Sequence, residues 1–146
     1  RIEEITAFLN TMPSSYQRLG TFTAPKYISW SKKYQTQLIR IPTVHSEHAR
    51  MELRSPDPML NPYVAFSLLL YAGLEGITEK ISLCDPCDYN LTTAPKETLS
   101  KLKTLPDNLE SALKLAMNSD FIKTHIPELI WNGFINSKRQ FVSDTI

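Results

Sequence analysis

Several things that define whole classes of protein are scarce here: the 146 residues include two cysteines and four glycines. The glycines (Gly20, Gly73, Gly76, Gly133) are scattered, so neither a P-loop nor a dinucleotide fingerprint exists, since both need clustered glycines against phosphate. The cysteines form one Cys84-Asp85-Pro86-Cys87 pair. A structural zinc needs four ligands, and His45, His48 and His125 are not spaced to complete the set. The pair reads as reduced loop thiols, and low cysteine use fits a cytoplasmic protein. Charge of one sign is also lacking: 16 basic against 15 acidic residues leave +1. That excludes a nucleic-acid binder working through a strongly basic surface, and the ordinary 21% of charged residues argues against disorder. No apolar run reaches the roughly 18–20 residues of a membrane span, so no membrane partner is expected. The longest, Tyr63 to Leu74, reads as a buried helix. No signal peptide is visible, and three histidines without an elbow motif give no Ser-His-Asp order.

What is present is 42% hydrophobic residues, enough for a real core. Ile2, Ile5, Phe8 and Leu9 keep a 3,4 spacing, the end of an amphipathic helix that suggests a piece of a longer protein. Strands are expected at Tyr27–Ser31, Leu38–Ile41 and Ala49–Ser55, separated by Pro25, Pro42 and polar stretches. Asn61-Pro62 starts a helix, because Asn caps well and Pro suits the first helical position. Asp107-Asn108 can cap a second helix with the stripe Leu109, Ala112, Leu113, Ala116, Met117, and a third starts near Pro127. Residues 84–106 have no clear period and read as a long connection.

The chemistry concentrates in Arg50-Met51-Glu52-Leu53-Arg54. Side chains alternate across a strand, so Arg50, Glu52 and Arg54 share a face while Met51 and Leu53 turn to the core. Arg40 lies on a neighbouring expected strand and Arg18 just ahead of both. Two readings fit: a solvent-exposed ladder of ion pairs, or a concave face where a carboxylate holds a divalent metal and guanidinium forks clamp anions. His45-Ser46-Glu47-His48 has metal-like residue types but reads as surface polar residues.

A series of motifs decides between them. Ser15-Tyr16-Gln17-Arg18-Leu19, Ala24-Pro25, Trp30-Ser31, Ile39-Arg40-Ile41-Pro42, Arg50 to Pro58, Asn61-Pro62-Tyr63 and Ala72-Gly73-Leu74-Glu75-Gly76-Ile77 follow in one order. The series resembles the C-terminal part of the catalytic domain of type I glutamine synthetase, densely from about Glu4 to Lys80 and more thinly beyond. The resemblance implies an α+β fold: an antiparallel, curved sheet portion over residues 1–58 carrying the active-site strands, then packed helices over 59–146, all one fragment of a single catalytic domain. It implies an ATP-dependent ligase that joins ammonia to glutamate through a γ-glutamyl phosphate, with Mg2+ or Mn2+. Carried over, Glu52 resembles a metal ligand, Arg18 and Arg54 the arginines that hold glutamate, and Arg40 and Arg50 those that contact ATP, with Arg40 catalytic. A homo-oligomer, a double hexameric ring, is implied as well, and so is inactivity of this piece alone, because the family's other metal ligands lie upstream.

The departures from the family pattern are specific. Gln17 stands for the family's lysine, and Thr23-Ala24-Pro25 for Glu-Ala-Pro, whose glutamate helps accept the ammonium proton. Gln35 stands where the family has an arginine facing the transferred phosphoryl group. Thr92 takes the place of the tyrosine that some bacterial enzymes adenylylate, which argues against that regulation. These leave two alternatives beside the main reading: a ligase using another amine, or a degenerate paralogue that only binds nucleotide or partner subunits.

Overall fold

The computed structural model describes residues 1–43 and 46–141. In chain order it holds α1 (Ile2–Leu9), α2 (Pro13–Arg18), β1 (Trp30–Ser31), β2 (Ile39–Arg40), a short 3-10 turn, β3 (Glu52–Leu53), α3 (Pro62–Thr78), α4 (Lys96–Leu99), α5 (Leu109–Met117), α6 (Asp120–His125) and α7 (Glu128–Lys138). The fold class is α+β, as the resemblance implied. No helix among the described residues is long and apolar enough to cross a membrane.

The chain forms two compact units, each built from separated stretches of sequence. The helical unit comprises residues 1–16, 57–82 and 106–146. Its helices start where capping chemistry dictates. The Asn61 carboxamide accepts from the amides of Tyr63 (3.0 Å) and Val64 (3.4 Å), Asn108 from Ser111 (2.8 Å), and the Ser119 hydroxyl from Ile122 (3.1 Å). Each satisfies a donor that the helix cannot, worth about 1 kcal/mol. α1 packs on α5 and α3, and α6 on both α3 and α5, burying Ile5, Leu9, Leu68, Leu109, Leu113 and Ile122. Phe8 stacks on Phe134 of α7 at 4.4 Å between centroids, and Arg1 reaches Glu75 through two nitrogens at 2.7 and 2.6 Å.

The expectation of burial fails at α3. Of its residues only Ala65 and Leu68 are buried, while Tyr63 (84% exposed), Phe66, Leu70, Leu74 and Ile77 (75%) line an outward stripe. An apolar circumference says that a helix has no face made for water, but not which neighbours cover it.

The second unit holds residues 17–56 and 83–105. Its sheet is mixed rather than wholly antiparallel, which corrects the expected detail. β1 and β2 are parallel (Trp30 beside Ile39, Ser31 beside Arg40), and β2 and β3 are antiparallel (Ile39 beside Leu53, Arg40 beside Glu52). Strands are short because regular pairing ends at prolines and side-chain-held bends. Pro42 follows β2 closely, and an imino nitrogen cannot donate to a ladder. Residues 83–105, nearly the whole of the 84–106 stretch expected as a connection, strap this sheet. The Trp30 indole donates to Cys84 O (2.7 Å), the Cys87 amide to Trp30 O (2.8 Å), and Leu105 N to Lys26 O (2.8 Å). Cys87 is buried and Cys84 exposed, and neither is in a disulfide.

Candidate active site

Strand register builds the site. Because Arg40 pairs directly opposite Glu52, its guanidinium meets that carboxylate at 3.2 Å (Nη1 to Oε2). Two further arginines, one on each flank of β3, approach the same carboxylate. Arg50 donates from Nε (3.1 Å) and lies 3.0 Å from Oε1 through Nη2, and Arg54 Nη1 stands 3.9 Å from Oε2. Thus Arg40, Arg50, Glu52 and Arg54 converge. Met51, expected to face the core, is instead 67% exposed, since it lies ahead of the paired strand.

Arg54 is held twice more by the segment before β2. Its Nε donates to Gln35 O at 2.8 Å and its backbone amide to Leu38 O at 2.9 Å. Arg18 is anchored apart from the carboxylate, on the carbonyl of Ser55 at 2.5 Å, next in sequence to Arg54. The loop after Arg18 is tight: Gly20 has φ +86°, its amide donates to Ala24 O (3.1 Å), and Thr21 N returns to Arg18 O (3.0 Å). A Cβ at Gly20 would sit 3.3 Å from Lys26 Cδ, so the position suits glycine on both counts. Phe22, also at positive φ (+50°), is 95% exposed at the tip beside exposed Thr23.

Electrostatics favour anions. Partial burial pushes the Glu52 carboxyl upward, but hydrogen bonds from Arg40 and Arg50 and their charges outweigh it and hold the group below the usual carboxylate range. Glu52 is therefore ionised at neutral pH, yet three guanidinium groups leave positive charge in excess. The Arg40 Nε is buried with no hydrogen-bond partner among the described residues, a donor left over for an incoming oxygen. For a divalent cation the donor set fits in part. The 3.9 Å approach of Arg54 is too long for a hydrogen bond, so Oε2 keeps a lone pair available. No group of three or more His, Cys, Asp or Glu forms a metal cluster among the described residues. Among the described residues Glu52 is the carboxylate at this site that could serve a cation, and water, phosphate oxygens or other residues would complete an octahedron. Elsewhere, His48 and Glu47 are exposed, 3.7 Å apart, and His45 lies outside the described residues.

The depressed Glu52 pKa gives a pH prediction with a definite sign. The folded value lies below the unfolded one, so unfolding takes up protons and stability rises with pH. The contribution is complete above the ordinary glutamate value of ~4.3 and disappears as pH falls through the folded value. The urea midpoint of Glu52→Gln should trail wild type most at pH 7 and converge with it as the pH falls through the lowered value of the folded carboxyl. A gap that does not change with pH would show that the arginines do not stabilise the ionised carboxylate.

Sequence reasoning did not single out Gln37 or Thr36. Gln37 is completely buried, and its amide donates to Cys87 O (2.7 Å) and Tyr89 O (2.6 Å). No periodicity marks a buried glutamine, and only the fold reveals the strap it holds.

Among the described residues, one carboxylate and three arginines gather on and beside adjoining strands, an arrangement whose charge favours anions. Comparison with known proteins narrows this. The family described as glutamine synthetase, catalytic domain, matches residues 1–145. A glutamine synthetase of Methanosarcina mazei is 40% identical over 140 residues, 94% of this chain and 31% of that protein. One of Staphylococcus aureus is 39% identical over 136 residues, 91% of this chain and 30% of that protein. The chain belongs to the glutamine synthetase catalytic-domain family, a family of ligases, and spans about a third of the length of these curated relatives. Among solved structures, the GmaS/ADP complex superposes with TM-score 0.74 at 21% identity, covering 97% of this chain and 35% of that one. GmaS without ligand gives 0.74 at 24%, covering 97% and 33%. At those identities the likeness speaks for the fold.

Proposed function

We propose that the full-length protein is a glutamine synthetase: it uses ATP to phosphorylate the side-chain carboxylate of glutamate, and ammonia displaces phosphate from the acyl phosphate. The observation that carries this reading is the convergence of Arg40, Arg50 and Arg54 on Glu52 within the family's own motifs. Arg18 and Arg54 would hold glutamate, since a guanidinium fork matches a carboxylate through two parallel hydrogen bonds. Arg50 and Arg40 would take ATP phosphates, Arg40 with its unspent Nε acting on the transferring group. Glu52 would lend one oxygen to Mg2+ or Mn2+, which when bound neutralises phosphate charge. Because Glu52 is the one carboxylate that the described residues bring to this site, the piece alone should not turn over. A homo-oligomer, as a double hexameric ring, belongs to the same proposal, and the outward apolar stripe of α3 is in keeping with further protein covering it.

Arg54→Ala in the full-length protein tests the acid site. It should raise the glutamate KM by about 10–100-fold, the scale of a charged, bidentate contact, while the ATP KM moves less than about threefold. Light scattering of the same preparation should give a ring-sized particle. A changed melting temperature with both KM values intact would make the strand face structural only.

A further inference from the structure

Residues 35–38 lie outside regular secondary structure, immediately before β2. No ladder fixes their backbone, so side chains must. On one side the segment grips the strap. The Gln37 amide donates to Cys87 O at 2.7 Å and Tyr89 O at 2.6 Å, while the Leu91 amide donates to the Thr36 hydroxyl at 3.1 Å. The Thr36 hydroxyl in turn donates to Gln37 Oε1 at 3.1 Å, so both donors and the acceptor of the buried amide are used. On the other side the same segment holds Arg54, through Gln35 O to the guanidinium and Leu38 O to the backbone amide.

We infer that Gln37 is a positioning residue for acid binding: it hangs residues 87–91 on the segment that aims Arg54, so the seating of the strap sets that guanidinium. The inference rests on the glutamate role proposed above for Arg54. A fully buried amide cannot exchange its partners for water, so removing it strands two carbonyls and frees the 35–38 bend together with the strap. Arg54 keeps its charge in such a variant but loses its fixed direction. A bidentate contact depends on direction more than on charge.

The test is Gln37→Met in the full-length protein, which keeps side-chain length and removes both donors. Hydrogen exchange followed by mass spectrometry should speed up in peptides covering 87–91 and also at the Arg54 amide. The glutamate KM should rise about tenfold with the ATP KM within about twofold. In an Arg54→Lys background the same substitution should change the glutamate KM less than twofold, because the two act through one contact. Should Gln37→Met fail to fold, Thr36→Val, which removes only the acceptor for Leu91 N and the donor to Gln37, reads the same quantities on a smaller scale. A loosened strap with unchanged exchange at Arg54 overturns the inference whether or not the protein turns over glutamate. So does a rise in glutamate KM of equal size with and without Arg54→Lys. Absence of any glutamate turnover in wild type would count against the proposed function alone, leaving the exchange at Arg54 to decide the role of Gln37.

Discussion

Glu52→Ala in the full-length protein should raise the metal concentration needed for half-maximal activity by more than about 100-fold. Groups that merely orient a metal ligand are worth about 10–100-fold in affinity, and loss of a ligand itself should exceed them. A second effect adds to the first. With the carboxylate gone, Arg40, Arg50 and Arg54 keep their charges around an empty centre, whereas each now lies within 4 Å of a Glu52 oxygen (3.2, 3.0 and 3.9 Å). Like charges then repel, and the forks that should meet phosphate and glutamate turn outward. The ATP KM and glutamate KM should therefore both rise, unlike in Arg54→Ala, where the glutamate constant responds almost alone. Glu52→Gln separates the two effects: its one carbonyl oxygen still accepts from Arg40 or from Arg50, so part of the arginine scaffold is kept, while the charge a divalent cation needs is lost. A normal metal requirement in Glu52→Gln, with defects only in the alanine variant, would make Glu52 an organiser of arginines and no ligand.

How much of this was readable beforehand differs from element to element. Helix starts at Pro62 and near Asp107-Asn108 were legible because capping is local: Asn61 and Asn108 satisfy amides two and three residues away. The grouping of charged side chains was legible for a related reason. Residues two apart on a strand share a face wherever they fold, so Arg50, Glu52 and Arg54 could be grouped before any pairing was known. Arg40 joins them through register, which places it directly opposite Glu52. Three features were not legible. The parallel pairing of β1 with β2 depends on the path of the intervening chain, which no pattern in Lys32 to Leu38 encodes. The outward face of α3 depends on which partners are present, and an apolar run is silent on that. Gln37 reads as an ordinary polar residue, because its burial comes from the strap about fifty residues later. Local chemistry was therefore recoverable from sequence, and long-range chemistry only where a family motif stood in for the missing distance.

The largest gain of function should come from Gln35→Arg. The side chain of Gln35 is exposed while its carbonyl already serves Arg54 at 2.8 Å. A longer side chain there meets no packed core, and the backbone contact survives the change. Folding stability should move by no more than about 0.5 kcal/mol, the usual range for a surface substitution. The rate should move far more. The family's arginine at this place faces the transferred phosphoryl group, and an arginine so aimed is worth about 10³–10⁵ in rate in other phosphoryl-transfer enzymes. Glutamine can hydrogen-bond there but brings no charge, so binding should be kept better than turnover; only interactions stronger in the transition state accelerate chemistry. We expect Gln35→Arg to raise kcat at least about tenfold with the ATP KM changed less than about threefold. Adding Thr23→Glu on the exposed loop after Arg18 should raise it again, through the proton taken from ammonium. Lysines are at hand to blunt the effect: Lys33, whose ammonium lies 5.1 Å from the Tyr34 ring, and Lys32, both exposed. If either already supplies the charge, Lys33→Met or Lys32→Met should slow the wild type and leave Gln35→Arg unaffected. A wild type that turns over as fast as ordinary family members, with no response to Gln35→Arg and none to either lysine, would show that the charge at this position is not needed.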